Sequence, residues 1–320
     1  MDGLRNPLRW GYSSLGLPLW DATPAARNTL LDEVIGELGF GVLELHLESG
    51  CDKSAARIIS PAASQNVESI AASVNARRGS LVLGLGARDL LGAEPHEPSL
   101  THPDPSARAL RRRLVEEAID LAAAAGAEAL VLLSGKAHER DTGPRHSRRA
   151  WQRFELEFER ILAHAEARHV VLAPEAHSRH VFASLGDLAR LRERLPSAWL
   201  GFTADVAHQT VTESRPLREL YRELGNSATI VQLDNLASLP SSDAAALQKI
   251  ALDAPGAVDL RGAIDGLIGA RYRGVASVEF LRRDRPDVDP VDYCRRSAAW
   301  LKQVCRSCVL SGTNAERIDV

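Results

Sequence analysis

Short runs of Val, Ile and Leu alternate along the chain with longer stretches in which Leu and Ala return at every third or fourth position. The short runs fall at 8–12, 42–47, 81–85, 129–133, 170–173, 200–203, 229–233 and 275–278. Their length and β-branched content predict strands. The longer stretches predict helices near 24–38, 62–77, 105–125, 147–168, 184–194, 214–224, across 243–271, and near 289–308. The clearest apolar face, Leu110, Leu114, Ala118, Leu121, Ala122 and Ala125, belongs to the third of these helices. Gly39 and Gly126 stand where helix C-caps are expected. The stretch GAEPHEPSLTHPDPS is too rich in proline for helix or strand and predicts a loop.

Strands that alternate with helices form a parallel sheet with right-handed crossovers. Eight strand–helix pairs close into a barrel. The expected fold class is therefore α/β, a single (β/α)8 TIM barrel over residues 1–310, with 311–320 as a loose tail. A doubly wound open sheet is the competing architecture, but no G-x-G-x-x-G follows the first strand.

With 320 residues, 45% of them apolar, the chain can bury a large core. Its net charge of −3, with Lys and Arg scattered along its length, carries no basic stripe for nucleic acid. The start, MDGLRNPLRWGYSSLG, does not read as a signal peptide, and no apolar run is long enough for a membrane helix. Of the four cysteines, Cys51 stands alone and Cys294, Cys305 and Cys308 crowd the C-terminal helix. One C-x-x-C pair is a weak metal or redox signal, and these cysteines are expected to be bystanders in a cytoplasmic protein.

In a barrel of this kind the chemistry sits where the strands end. Strand two carries Glu44 and His46, and strand four runs into Ser134, Gly135 and Lys136. Strand five ends in Glu175 and His177, strand six in Asp205 with His208 beyond it. Strand seven carries Gln232, then Asp234 and Asn235, and strand eight ends in Glu279. Alone, each carboxylate could cap the next helix or pair with an arginine. Together, Glu175, Asp205 and Glu279 would repel one another at the barrel mouth unless a cation held them, and a divalent metal is the simplest answer. Arg282 lies in a charged run that reads as a solvated loop, with the option of facing an anionic substrate.

The motifs WGYSSLGLP, ELGFGVLELH, AIDLAAAAGAEALVLLSGK, VVLAPEAH, LGFTADVAH, IVQLDN and GVASVEF occur in this order over about residues 8–305. In order and spacing they resemble the xylose isomerase-like TIM barrels. That group includes hydroxypyruvate isomerases, ketose 3-epimerases, inosose isomerases and dehydratases, dehydroshikimate dehydratases and apurinic-site endonucleases. The resemblance implies one divalent metal held by Glu175, Asp205, Gln232 and Glu279, with Gln232 where many members have His. Asn235 stands where the family carries Asp. Glu175 and Glu279 would be the catalytic acid–base pair, and His208, Glu44, His46, Lys136, His177 and Arg282 would bind substrate. Oxygen ligands favour Mn²⁺ or Mg²⁺ over Zn²⁺ or Co²⁺. DNA cleavage is not expected, because the endonucleases' extra histidines on strands three and four and the Asp-x-His after strand seven are missing.

The expected activity is isomerisation or epimerisation of a small sugar-like hydroxy-carbonyl compound through an enediolate, a step in carbohydrate metabolism. A dehydratase, expelling a β-hydroxyl from the same intermediate, is the first alternative; a non-catalytic sugar- or metal-binding barrel is the second. The expected partner is a small polyhydroxy or keto substrate, without nucleic acid or membrane, and a homo-oligomer is left open.

Overall fold

The structure is a computed structural model that describes residues 8–86, 90–91, 96–138, 147–240, 247–280 and 287–315. Its barrel strands are β1 (Arg9–Ser13), β2 (Val42–His46), β3 (Ser80–Gly84), β4 (Ala129–Leu132), β5 (Val171–Ala176), β6 (Thr203–Asp205) and β7 (Ile230–Leu233). A two-stranded hairpin, β8 (Asn235–Leu236) with β9 (Lys249–Ile250), lies outside the barrel, and β10 (Val275–Val278) closes it against β1. All pairings around the barrel are parallel, so the chain is a single closed (β/α)8 barrel as its alternation predicts.

The helices are α1 (Pro24–Leu31), α2 (Pro61–Ala76), α3 (Pro105–Ala125), α4 (Arg148–Arg168), α5 (Leu185–Arg194), α6 (Val206–Thr212), α7 (Leu217–Leu224), α8 (Leu260–Gly269) and α9 (Pro290–Ala315). Their starts are written locally. Thr23, Ser60 and Asp104 each cap a helix whose first residue is proline, and Ser147 and Ser184 cap α4 and α5. A side-chain oxygen there satisfies an amide that has no partner within the helix. Gly126 ends α3 at φ 66°, a left-handed conformation that costs glycine little.

Side chains on a strand alternate between the two faces of the sheet. Val42, Val82, Ala129, Val131, Ala173, Ile230 and Val275 form a small apolar cluster of their own inside the barrel. The larger core, with Leu43, Leu45, Phe154, Phe158, Phe202 and Tyr221, lies between barrel and helices. Moving two residues along the inward face from Val42, Ala173, Ile230 and Val275 reaches Glu44, Glu175, Gln232 and Ser277. Gln232 is in register with Asp205 on one side and Ser277 on the other. The apolar floor and the polar layer above it are one periodic pattern.

Four departures from the sequence expectation stand out, the first two of them at the site. Residues 206–212, which the sequence leaves unassigned between strand six and the helix near 214–224, form α6, capped by Asp205. The stretch 243–271, read as helical, holds β9 at Lys249–Ile250 and becomes helix only at Leu260; residues 241–246 lie outside the described residues. The first helix is α-helical only to Leu31 and continues as a wider π turn over Asp32–Glu37. The last helix extends to Ala315, into the segment read as tail, and 316–320 lie outside the described residues.

At the mouth end strand three carries Gly84 in place of an inward side chain, which makes room for the His46 ring from β2. A Cβ on Gly84 would stand 2.6 Å from the His46 ring. Gly84→Val should therefore cost about 1–3 kcal/mol in urea unfolding through overpacking. Combined with His46→Ala it should cost less than the sum of the two single changes, and strict additivity would show that the ring does not set the requirement.

Candidate metal and active site

Four buried carboxylates meet at the mouth: Glu175 from β5, Asp205 from β6, Asp234 just past β7, and Glu279 just past β10. Oxygens of Asp205, Asp234 and Glu279 lie within 4.8 Å of one another, close enough to share one cation. The Lys249 ammonium, carried in by the hairpin, is paired with all three: it contacts Asp234 and Glu279 closely and stands 3.5 Å from Asp205 Oδ2. Burial opposes the lysine's charge, but Asp234, Glu279 and Asp205 outweigh it and raise the Lys249 pKa well above its usual value.

One ammonium does not balance this set. Burial, then Glu279 and Asp205, push the Glu175 carboxyl well above the usual range. Burial and Asp205 carry Asp234 up to about 7 in spite of Lys249. Asp205 is raised mainly by burial, with Glu279 adding to it and Lys249 opposing.

Asp205 answers to both readings of a carboxylate at a strand end. Its Oδ1 caps α6 by accepting from the His208 amide at 2.8 Å, while Oδ2 remains with Lys249. Asp234 Oδ1 accepts from the Ala207 amide at 3.1 Å, so two acids grip the first turn of α6. Asn235, which stands where the family carries Asp, points its amide elsewhere. Its Nδ2 donates to the carbonyls of Ala254 at 2.8 Å and Ala251 at 3.4 Å, tying down the hairpin. The carboxylate after strand seven is thus Asp234. Tyr293 of α9 braces both sides of the pocket. Its hydroxyl accepts from the Leu252 amide at 3.1 Å, and its ring stacks on Phe280 with centroids 4.0 Å apart.

Gln232 Nε2 donates to Glu44 Oε1 at 2.7 Å and lies 3.4 Å from Glu279 Oε1. Its own Oε1 is buried without a hydrogen-bond partner. Such an orphaned oxygen is costly unless something electropositive meets it. His46 Nδ1 accepts from the Gly86 amide at 3.3 Å, and Nε2 lies 3.3 Å from Glu44 Oε1. Burial disfavours charge on both, but their mutual contact prevails: the Glu44 pKa falls and the His46 pKa rises.

A group of imidazoles forms the other wall. The His177 ring lies 3.8 Å from His208 and 4.2 Å from His180, centroid to centroid, and His96 from the proline-rich loop approaches His180 at 5.8 Å. His208 Nδ1 is 2.8 Å from Ser178 Oγ. Burial lowers the pKa of His177, His180 and His208; His208 beside His177, Lys249 beside His208 and His177 beside His180 lower them further. Glu175, His177 and His208 also have ligand atoms within 4.8 Å of one another.

Of the residues expected at the site, Glu175, Asp205, Gln232, Glu279, His208, Glu44, His46 and His177 come together here. Lys136 stands exposed on the loop after β4, and its carbonyl accepts from Thr101 Oγ1 at 2.7 Å. Arg282 lies outside the described residues. Lys249, Asp234 and His180 are additional members; a signal for Asp234 was present in its position two residues after Gln232. The four cysteines form no disulfide among the described residues, and Cys294, Cys305 and Cys308 lie on α9. No described helix is long and apolar enough to cross a membrane.

The sequence matches the family model described as xylose isomerase-like TIM barrel over residues 33–304. The chain belongs to this family. Among solved structures, this xylose isomerase-like barrel is similar to the 3-keto-D-glucoside 4-epimerase YcjR of E. coli, with 16% identity and a TM-score of 0.67 over 92% of this chain and 99% of that one. An L-ribulose 3-epimerase matches with 15% identity and a TM-score of 0.68, covering 98% of each chain. The D-psicose 3-epimerase of Clostridium cellulolyticum H10 matches with 14% identity and a TM-score of 0.65, over 94% of this chain and 99% of that one. At such identities the likeness is one of fold. No curated protein sequence matches the chain.

The imidazole wall has a measurable signature. His180 is lowered well below 6.5 by burial and by its histidine neighbours. A histidine with a depressed folded pKa takes its proton more readily when unfolded. The stability it contributes is present above the unfolded pKa and is lost as pH falls through the folded one. His180→Gln should therefore flatten the loss of unfolding free energy between pH 6.5 and 5 by up to one proton, about 1.4 kcal/mol per pH unit. Parallel wild-type and variant curves in chemical denaturation would contradict this.

Proposed function

We infer that this barrel is a divalent-metal-dependent epimerase or isomerase acting on a small sugar-like hydroxy-carbonyl compound. The observation that carries the reading is the placement of Glu175 and Glu279. Both are buried at the mouth, and on the closed barrel two strands, β6 and β7, separate the strands that bear them. Two carboxylates on separate walls can reach a substrate carbon from opposite faces. One Oε takes the proton from the carbon bearing the hydroxyl, and the other returns a proton on the far side, which inverts that centre. Aldose–ketose isomerisation through one face needs only one of them, so the arrangement favours epimerisation.

The residues present suit a divalent cation. Four carboxylates face one ammonium, and the Gln232 amide oxygen is buried without a partner. Glu175, Asp205, Gln232 and Glu279 would hold the ion, an all-oxygen set that favours Mn²⁺ or Mg²⁺. When bound, the ion supplies Lewis-acid polarisation of the substrate's adjacent oxygens. The chain's own groups do the rest. His208, neutral and oriented by Ser178, offers a hydrogen bond to a substrate oxygen. Glu44, itself paired with His46, holds the Gln232 amide. The neighbouring D-psicose and L-ribulose 3-epimerases, by their names, act on ketoses, which supports a ketose substrate here.

A dehydratase reading rests on His46. Its buried imidazole is held toward the protonated form by Glu44 and is a candidate acid for a leaving hydroxyl. Loss of water leaves an enone with ultraviolet absorbance, whereas epimerisation leaves an epimer of equal mass.

In D₂O, nuclear magnetic resonance of candidate ketoses should show deuterium entering the carbon that carries the hydroxyl, together with the inverted product. Glu175→Gln and Glu279→Gln should each lower turnover about a hundred-fold or more with an unchanged circular dichroism spectrum. Near wild-type activity in either variant would refute the two-carboxylate mechanism.

Elemental analysis should find one divalent ion per chain. After chelation, Mn²⁺ or Mg²⁺ should restore more activity than Zn²⁺ or Co²⁺. Recovery with Zn²⁺ alone would remove Gln232 from the ligand set.

A further inference from the structure

The lysine in the carboxylate cluster has no counterpart in the oxygen-ligand set just described. Lys249 Nζ contacts Asp205, Asp234 and Glu279, and those three carboxylates are the group whose oxygens lie within 4.8 Å of one another. An ammonium therefore stands where a cation shared by these acids would stand. Two of its partners, Asp205 and Glu279, are also proposed metal ligands. A metal ion and the ammonium cannot both take the same oxygens at full strength, because like charges at such spacing repel strongly away from bulk water.

The way the lysine is delivered allows it to yield. It sits on β9, a two-residue strand that among the described residues pairs with β8 alone. A short two-stranded ribbon contributes little stability of its own. The hairpin's base is held independently, by Asn235 on the Ala251 and Ala254 carbonyls and by Tyr293 on the Leu252 amide. The lysine arm has four rotatable methylene links, so the head group can shift while the backbone stays anchored. Asp234 is not among the proposed metal ligands, and it offers a place to which the ammonium can withdraw.

Resting on the metal-dependent reading above, we propose that Lys249 is a tethered counter-cation. It neutralises the carboxylate triangle when metal is absent and competes with the divalent ion for Asp205 and Glu279. Metal binding then requires the ammonium to retreat toward Asp234, and metal affinity in the natural chain is held below what the oxygen ligands alone would give.

The test uses Mn²⁺ alone as the probe, in calorimetric titration of the metal-stripped full chain and of Lys249→Met. The variant should bind Mn²⁺ at least ten-fold more tightly. In chelator its melting temperature should fall below that of the wild type, and Mn²⁺ should reverse the order. Lys249→Arg, which keeps the charge, should bind no more tightly than wild type. If wild type and Lys249→Met bind Mn²⁺ equally, or the variant binds more weakly, the competition is refuted while the metal-dependent reading stands. If neither folded protein binds Mn²⁺, the metal-dependent reading falls, and this inference with it. If Lys249→Met does not fold in chelator, recovery of its circular dichroism signal on adding Mn²⁺ supports the proposal, and no recovery overturns it.

Discussion

Burying like charges side by side is the constraint around which this barrel mouth is organised. Glu175, Asp205, Asp234 and Glu279 are withdrawn from water on neighbouring walls, and burial together with the neighbouring carboxylates makes Glu175, Asp205 and Asp234 harder to ionise. A fold tolerates this only with compensation close at hand. Here compensation comes in layers. Backbone amides at the start of α6 take one oxygen from Asp205 and one from Asp234, Lys249 meets three of the four acids, and the Gln232 amide group links the set to Glu44. What these leave over is an excess of acidic groups over cationic ones and an unpartnered amide oxygen, surroundings that suit a cation.

The backbone makes such an assembly affordable because the two-residue period of the strands separates its tasks. Val42, Ala173, Ile230 and Val275 seal the barrel below, and the inward residues two places on carry the chemistry. The outward residues of the same strands bury Leu, Phe and Tyr against the helices. A polar layer can then vary without disturbing the packing beneath it. The exception, Gly84, shows the same logic in reverse, since strand three gives up its side chain so that the His46 ring can lie across it.

Much of this was legible along the chain. Each β-run that stops at an acid, as VVLAPE and GVASVE do, places that acid at the C-terminal rim once the barrel is inferred. Glu175, Asp205 and Glu279 could be singled out for that reason, and Gln232 from the resemblance of IVQLDN. Lys249 could not. It lies in DAAALQKIALDA, whose Ala and Leu spacing mimics a helix, and its role depends on a two-residue strand pairing with Leu236. Short elements escape periodicity altogether, as the seven-residue α6 also shows. Asp234 and Asn235 are adjacent with similar side chains, and only the path of the hairpin decides which of them faces the acids. The histidine wall joins His96 from the proline-rich loop to His177, His180 and His208, a contact between distant segments that no local spacing encodes.

Tyr293 ties the end of the chain to its chemical centre. Its ring lies on Phe280, the neighbour of Glu279, and its hydroxyl receives the Leu252 amide at the foot of the hairpin that carries Lys249. The C-terminal helix is therefore more than an outer wall of the barrel. It works as a brace whose one aromatic foot steadies a carboxylate on one side and a lysine arm on the other. Loosening the start of that helix would therefore loosen the two opposed charges together.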